Sequence, residues 1–223
     1  MAAQDITVQG AGWASVGQCG RVRLSQTLDH AGLAGLWNDP RVFARPVKSY
    51  GRFDLPSRLV CVAAAMALQD ACVPAGDGAK RDVAVLGANT DGCLDSDRAY
   101  FQDYASCGRT LARGNLFLYT LPSSPFAEAA IHFGLEGPLL YLGCADRRMA
   151  RLIETAAGLL ARGETGAALL VENTQDRAVA LVLGRGTAAG FESAEAVLAQ
   201  LADAAGPAEV LERLAASGGR VGR

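Results

Sequence analysis

The side chains best suited to covalent chemistry lie in the stretch Leu142-Gly143-Cys144-Ala145-Asp146-Arg147-Arg148. Cys144 ends an apolar run and precedes a helical pattern, which sets its thiol beside a helix N-terminus and two arginines. Positive charge of that kind lowers a thiol pKa and favours the nucleophilic thiolate. A thiol nucleophile also needs an oriented base, and the sequence holds only two histidines, His30 and His132. His132 sits inside Ala129-Ala130-Ile131-His132-Phe133 and reads as a packed helix residue. Asp146 is a good N-cap, favoured by the positive end of the helix dipole, and that structural role explains it. The ordinary reading of Cys144 is an inert buried thiol.

Other patterns carry less. Gly10-Ala11-Gly12 follows Ile6-Thr7-Val8-Gln9 as a dinucleotide fingerprint would, but the third glycine position is Ser15. No G-x-x-x-x-G-K-[ST] loop occurs either. The reading adopted is a short opening strand ended by a tight turn. The cysteines Cys19, Cys61, Cys72, Cys93, Cys107 and Cys144 form no C-x-x-C pair, no Cys/His spacing suits zinc, and no G-x-S-x-G elbow is present. No metal or organic cofactor is expected.

The elements that must position these residues follow from periodicity and punctuation. Residues 29–54 read as loop with a short helix near Leu33–Trp37. Asp54-Leu55-Pro56 opens a helix to about Ala71, apolar on almost every side and therefore buried. Asp82–Gly87 reads as a buried parallel strand. Residues 88–122 lack a clean period and read as a long functional or interface loop with short helical pieces. A helix over Pro125–Phe133 closes at Gly134, and Leu139–Leu142 is a strand. A helix starting at Asp146 presents Met149, Leu152, Ile153, Ala156 and Leu160 on one face and stops at Gly163. Strands Ala167–Val171 and Ala178–Leu183 are joined by a turn too short for a parallel pair. Two short helices, about Ser193–Ala204 and Pro207–Ala216, complete an α/β pattern.

Composition agrees with this pattern. Of 223 residues 50% are hydrophobic and 20% charged, enough apolar content for a packed core and too much for disorder. The net charge of −2 gives no excess cation to track nucleic acid or an anionic membrane. The longest apolar run, around Val60–Leu68, is about half the ~20 residues that span a bilayer. Met1–Asp5 does not resemble a secretory signal. A cytoplasmic protein is expected.

The order strand (Val83–Leu86), loop, Ile131-His132-Phe133-Gly134-Leu135-Glu136-Gly137-Pro138, strand, helix, Arg162-Gly163-Glu164, strand resembles the N-terminal half of β-ketoacyl synthases. Ile6–Gly12 is similar to that family's opening strand and glycine-rich turn. The resemblance spans about residues 5–184 and is strongest over 120–172. It implies a thiolase-like half with a five-stranded mixed sheet layered by helices over residues 1–186, and a helical extension over 187–223.

In active members the catalytic Cys lies about eight residues after the Gly-Pro proline and about seventeen before the Arg-x-Gly glycine. Counted from Pro138 and from Gly163, both spacings land on Asp146. An aspartate cannot form the thioester that a thiolate forms with an acyl carrier. Small residues follow the Cys in active members, where this sequence has Arg147 and Arg148. The family's catalytic histidines come from a C-terminal half, and the last histidine here is His132. The resemblance thus implies a non-catalytic accessory protein, a pseudoenzyme of fatty-acid or polyketide-type biosynthesis. It would associate with itself or a synthase subunit as a dimer, with 88–122 contributing, or with an acyl carrier protein. The competing readings are a condensing enzyme or acyltransferase using Cys144 and completed by a partner chain, and a plain carrier-binding module.

Overall fold

Strand β1 (Ile6–Ser15) runs straight through Gly10-Ala11-Gly12 in the computed structural model, which describes residues 6–74, 78–109, 113–186 and 193–218. The turn expected at these glycines is corrected to a strand interior with a bulge between Val8 and Gly10. The reason is steric. A Cβ on Gly10 would overlap the backbone of Ala67 and Ala71, and one on Gly12 would overlap Ala67 and Met66. Lacking side chains, both residues let helix α1 (Leu55–Asp70) lie directly on the strand.

Helix α1 starts where its sequence says. The Asp54 carboxylate accepts a hydrogen bond from the Ser57 amide at 2.9 Å, and Pro56 occupies the first turn. The sheet covers one side of the helix, while helix α4 (Ser124–Phe133) and a two-turn 3₁₀ segment at Leu33–Asn38 pack against it elsewhere. This double cover buries every residue from Leu59 to Leu68.

The sheet has seven strands, not the expected five, in the order β3-β2-β1-β7-β6-β4-β5. The two extra strands, β2 (Gln18–Arg21) and β3 (Gln26–Asp29), form an antiparallel hairpin on the outer side of β1. Their sequences, Gln-Cys-Gly-Arg and Gln-Thr-Leu-Asp, hold no apolar run, so periodicity gives no strand signal. Strand β4 (Val83–Asn89) pairs in parallel with β5 (Leu139–Tyr141) and β6 (Ala167–Asn173). Strand β7 (Arg177–Arg185) is antiparallel to β6, as the short turn requires, and also to β1.

Alternation along these strands feeds two cores. Leu169, Val171, Ala178, Ala180 and Val182 face α1 and α4, whereas Ala168, Leu170, Val179, Leu181 and Leu183 face the opposite layer. That second layer consists of α5 (Arg148–Arg162), α6 (Ala194–Leu201) and α7 (Pro207–Gly218). The expected apolar face of α5 is buried, and Gly163 ends the helix in the left-handed region at φ 74°. Val197, Leu201, Val210 and Leu214 share this core, so the terminal helices belong to the same layer as α5. The division expected at 186/187 falls within 187–192, outside the described residues.

Region 88–122 holds a longer helix than expected, α2 (Leu94–Ser106), followed by the single turn α3 (Gly114–Phe117). None of the residues of α2 is buried. Among the described residues no helix is long and apolar enough to cross a membrane.

Candidate functional site

Strands β4, β5 and β6 run in parallel, so their carboxyl ends gather Asn89, Tyr141 and Glu172-Asn173 at one end of the sheet, where α/β folds place their ligand crevices. Cys144 lies just past β5 and packs against the α5 core. The positive surroundings expected to activate it do not dominate. Burial pushes its thiol pKa up, Glu172 and Asp146 add to that, and Arg148 and Arg151 offset it only in part. The expectation of a lowered pKa is therefore corrected. Sγ makes a long hydrogen bond to the Leu142 carbonyl, at 3.8 Å.

Asp146 is not the N-cap of α5. That position belongs to Arg147, held in the left-handed region at φ 49° and ψ 33°, and no side chain caps the helix there. The chain thus enters the helix one residue later than Asp146 requires. Its exposed carboxylate faces Arg151 at 3.9 Å instead.

The start of α5 is organised by Arg148, which is buried. Its Nε donates to Glu172 Oε1 at 2.9 Å, Nη1 to the Ala145 carbonyl at 2.8 Å and Nη2 to the Ala205 carbonyl at 2.8 Å. Arg147 Nε donates to the Ala202 carbonyl at 2.6 Å. The two arginines therefore pin the α6–α7 connection over the beginning of α5. Glu172 is 1% exposed. Burial raises its carboxyl pKa, and the Arg148 guanidinium and the Met149 amide work against that rise. This buried pair was missed in the sequence. The available signal was a lone Glu closing the apolar run Ala167–Val171.

Neither histidine reaches Cys144. His132 lies in the α1–α4 layer, its ring centre 5.5 Å from that of Phe43 and 4.7 Å from that of Phe133, both in edge-to-face contact, and burial lowers its pKa. His30 directly follows β3, and β3 and β5 are opposite edges of the sheet, roughly 28 Å apart at the usual strand spacing. Among the described residues no group of three metal-ligating side chains converges.

Beside the site, Asn89 Oδ1 accepts from the Tyr141 hydroxyl at 3.0 Å and from the Gly92 amide at 2.9 Å, while Cys93 Sγ donates to the Thr120 carbonyl at 3.0 Å. These contacts anchor both ends of the α2–α3 arm. The arm itself exposes Leu94, Phe101, Phe117, Leu118 and Leu121, and Leu139 and Leu140 on edge strand β5 are also exposed. The solvent side of α5, by contrast, carries Arg151, Glu154 and Arg162.

No protein-family profile and no curated protein matches the sequence. Solved structures do. The chain superposes on the ishigamide ketosynthase/chain length factor with a TM-score of 0.60 at 13% identity, covering 85% of this chain and 64% of that one. It superposes on a β-ketoacyl synthase from Burkholderia phymatum with a TM-score of 0.59 at 14% identity, over 82% of this chain and 59% of that one. For AntDE:AntF, a type II polyketide synthase acyl-carrier protein in complex with its ketosynthase, the TM-score is 0.54 at 13% identity, over 82% and 58%. The fold is the thiolase-like fold of ketosynthases. The chain spans less than two thirds of the length of each of these structures.

Proposed function

We propose that this chain is a non-catalytic, ketosynthase-like accessory protein of fatty-acid or polyketide-type biosynthesis that acts through association with a synthase subunit or an acyl carrier. The observation that carries the reading is Asp146, an exposed carboxylate at the nucleophile register counted from both flanking motifs. A carboxylate there forms no thioester by the thiolate route. Support comes from the start of α5, where Arg147 and Arg148 stand in place of small residues and hold the Ala202 and Ala205 carbonyls beside the helix N-terminus. The raised thiol pKa of Cys144 points the same way.

Association would use the α2–α3 arm and the neighbouring edge of β5. A cluster of exposed apolar side chains beside an unpaired strand edge is the kind of surface a protein partner covers. The α5 face is unsuited to this role, being charged and partly roofed by α6. The ketosynthase/chain length factor and the carrier-bound ketosynthase among the structural neighbours are partnered assemblies of the proposed kind.

Incubation with an acyl-carrier thioester followed by intact-mass analysis tests the reading. The expected result is no acyl adduct on the native chain and no condensation by Asp146→Cys. A stable adduct mapped to Cys144 would replace this reading with the condensing-enzyme alternative. Recovery of a synthase subunit or carrier with the native chain is the positive result expected in parallel.

A further inference from the structure

A second concavity, of about 340 Å³, lies between the segment preceding α1 and the outer face of α4, on the other side of the sheet from Cys144. Arg45 and Lys48 stand at its edge, Phe53 forms a wall, and α4 contributes Glu128, Ile131 and His132. The volume lies within the ~300–1,000 Å³ typical of small-molecule sites.

The chemistry of the lining is specific. Arg45 and Lys48 are exposed, and no carboxylate among the described residues pairs with either. Glu128 is engaged through Oε1, which accepts from the Tyr119 hydroxyl at 3.2 Å. Two cations and one carboxylate leave a single net positive charge on the lining, and burial lowers the His132 pKa, which favours its neutral ring. Buried His132 Nε2 has no hydrogen-bond partner among the described residues. Ile131 is 77% exposed beside it, the highest exposure among the exposed large apolar side chains. Unpaired charge and exposed apolar surface facing one hollow are complementary to a ligand that carries both characters.

We propose that this cleft binds a small monoanionic amphiphile, a carboxylate with a compact apolar body, its head between Arg45 and Lys48 and its body against Phe53 and Ile131. A monoanion matches the single net charge of the lining. Ile131 supplies most of the exposed apolar surface, and an aromatic body can also pack on the small part of Phe53, 4% exposed, that lines the cleft. The proposal is independent of the reading at α5, because no residue is shared.

The test is titration with 4-phenylbutyrate, with 4-phenylbutanol and acetate as controls that lack the charge and the apolar body respectively. His132 serves as the reporter by histidine-selective NMR, because the sequence has only two histidines. The expected result is a saturable shift of the His132 signal with His30 unmoved, from phenylbutyrate alone. The exposed-residue double variant Arg45→Gln/Lys48→Gln should weaken binding by about tenfold, as should higher salt in the same direction. Ile131→Ser should weaken it with the charge intact. No saturable shift at millimolar ligand, equal binding of the alcohol, or unchanged binding by the double variant would each overturn the proposal.

Discussion

Two aspartates precede two helices in this chain, and only one of them caps. Asp54 lies in extended backbone at φ −66° and ψ 171°, from which its carboxylate meets the Ser57 amide. Asp146 precedes a residue in left-handed backbone, and its carboxylate turns to solvent. The residue type is the same, so the backbone decides. At α1 the long-range contact leaves the local cap intact, since Ser96 Oγ donates at 2.9 Å to the other carboxylate oxygen of Asp54. At α5 the chain must place Arg148 where it reaches Glu172, Ala145 and Ala205 together, and the left-handed turn at Arg147 goes with that placement. A buried long-range network overrides a local capping preference worth about 1 kcal/mol.

Breaking the network should have the largest effect. Arg148→Met leaves the Glu172 carboxylate buried without its partner, a change that typically costs about 3–5 kcal/mol. Chemical denaturation should show the loss near neutral pH. The pH dependence has a definite sign. The Glu172 pKa is raised on folding, so its contribution is fully present below the unfolded value and is lost as pH rises through the folded one. Without Arg148 the rise grows, and the variant should recover part of its deficit on acidification toward the ordinary carboxylate range. A deficit that is independent of pH would show that Arg148 acts by packing alone.

The strand beneath α1 is the next point to break. Gly12→Ala puts a methyl group into the backbone of α1, and overpacking of this kind typically costs about 1–3 kcal/mol. The same substitution at Gly17, which has nothing within reach of a new Cβ, should leave the denaturation midpoint nearly unchanged. Equal effects at both positions would mean that glycine flexibility, not helix approach, explains the motif.

How much of this was legible in the sequence varies by region. Helix α1 with its cap, the strands at 83–89, 167–173 and 177–185, and the apolar face of α5 all announce themselves by period or by punctuation, because burial there is continuous. The β2–β3 hairpin did not, since Gln18–Arg21 and Gln26–Asp29 sit at a sheet edge where polar residues are tolerated. Gly10-Ala11-Gly12 reads as a turn in sequence and is a strand interior in the fold, because glycine marks a turn and a close helix approach with the same letter. The candidate site was legible in register but not in shape. Spacing alone led to Asp146, yet the Arg148–Glu172 pair joins residues whose separation no local pattern encodes.

The smallest effects sharpen the opening comparison. Asp54→Ala removes a cap in use together with the hydrogen bond from Ser96 Oγ and should cost at least about 1 kcal/mol, whereas Asp146→Ala should change stability by less than about 0.5 kcal/mol, as at other exposed positions. Among the described residues the Asp146 carboxylate meets Arg151 alone, at 3.9 Å, and exposed pairs of that length contribute little. Matched denaturation curves of the two variants give the contrast directly. If Asp146→Ala matched Asp54→Ala, the carboxylate would be serving the first-turn amides of α5 in solution, and Arg147 would not hold the left-handed position. If Asp146→Ala is neutral, the residue at the nucleophile register is free of structural duty. Asp146→Cys can then be placed there without cost to the fold, so that an absence of condensation by that variant speaks about chemistry and not about misfolding.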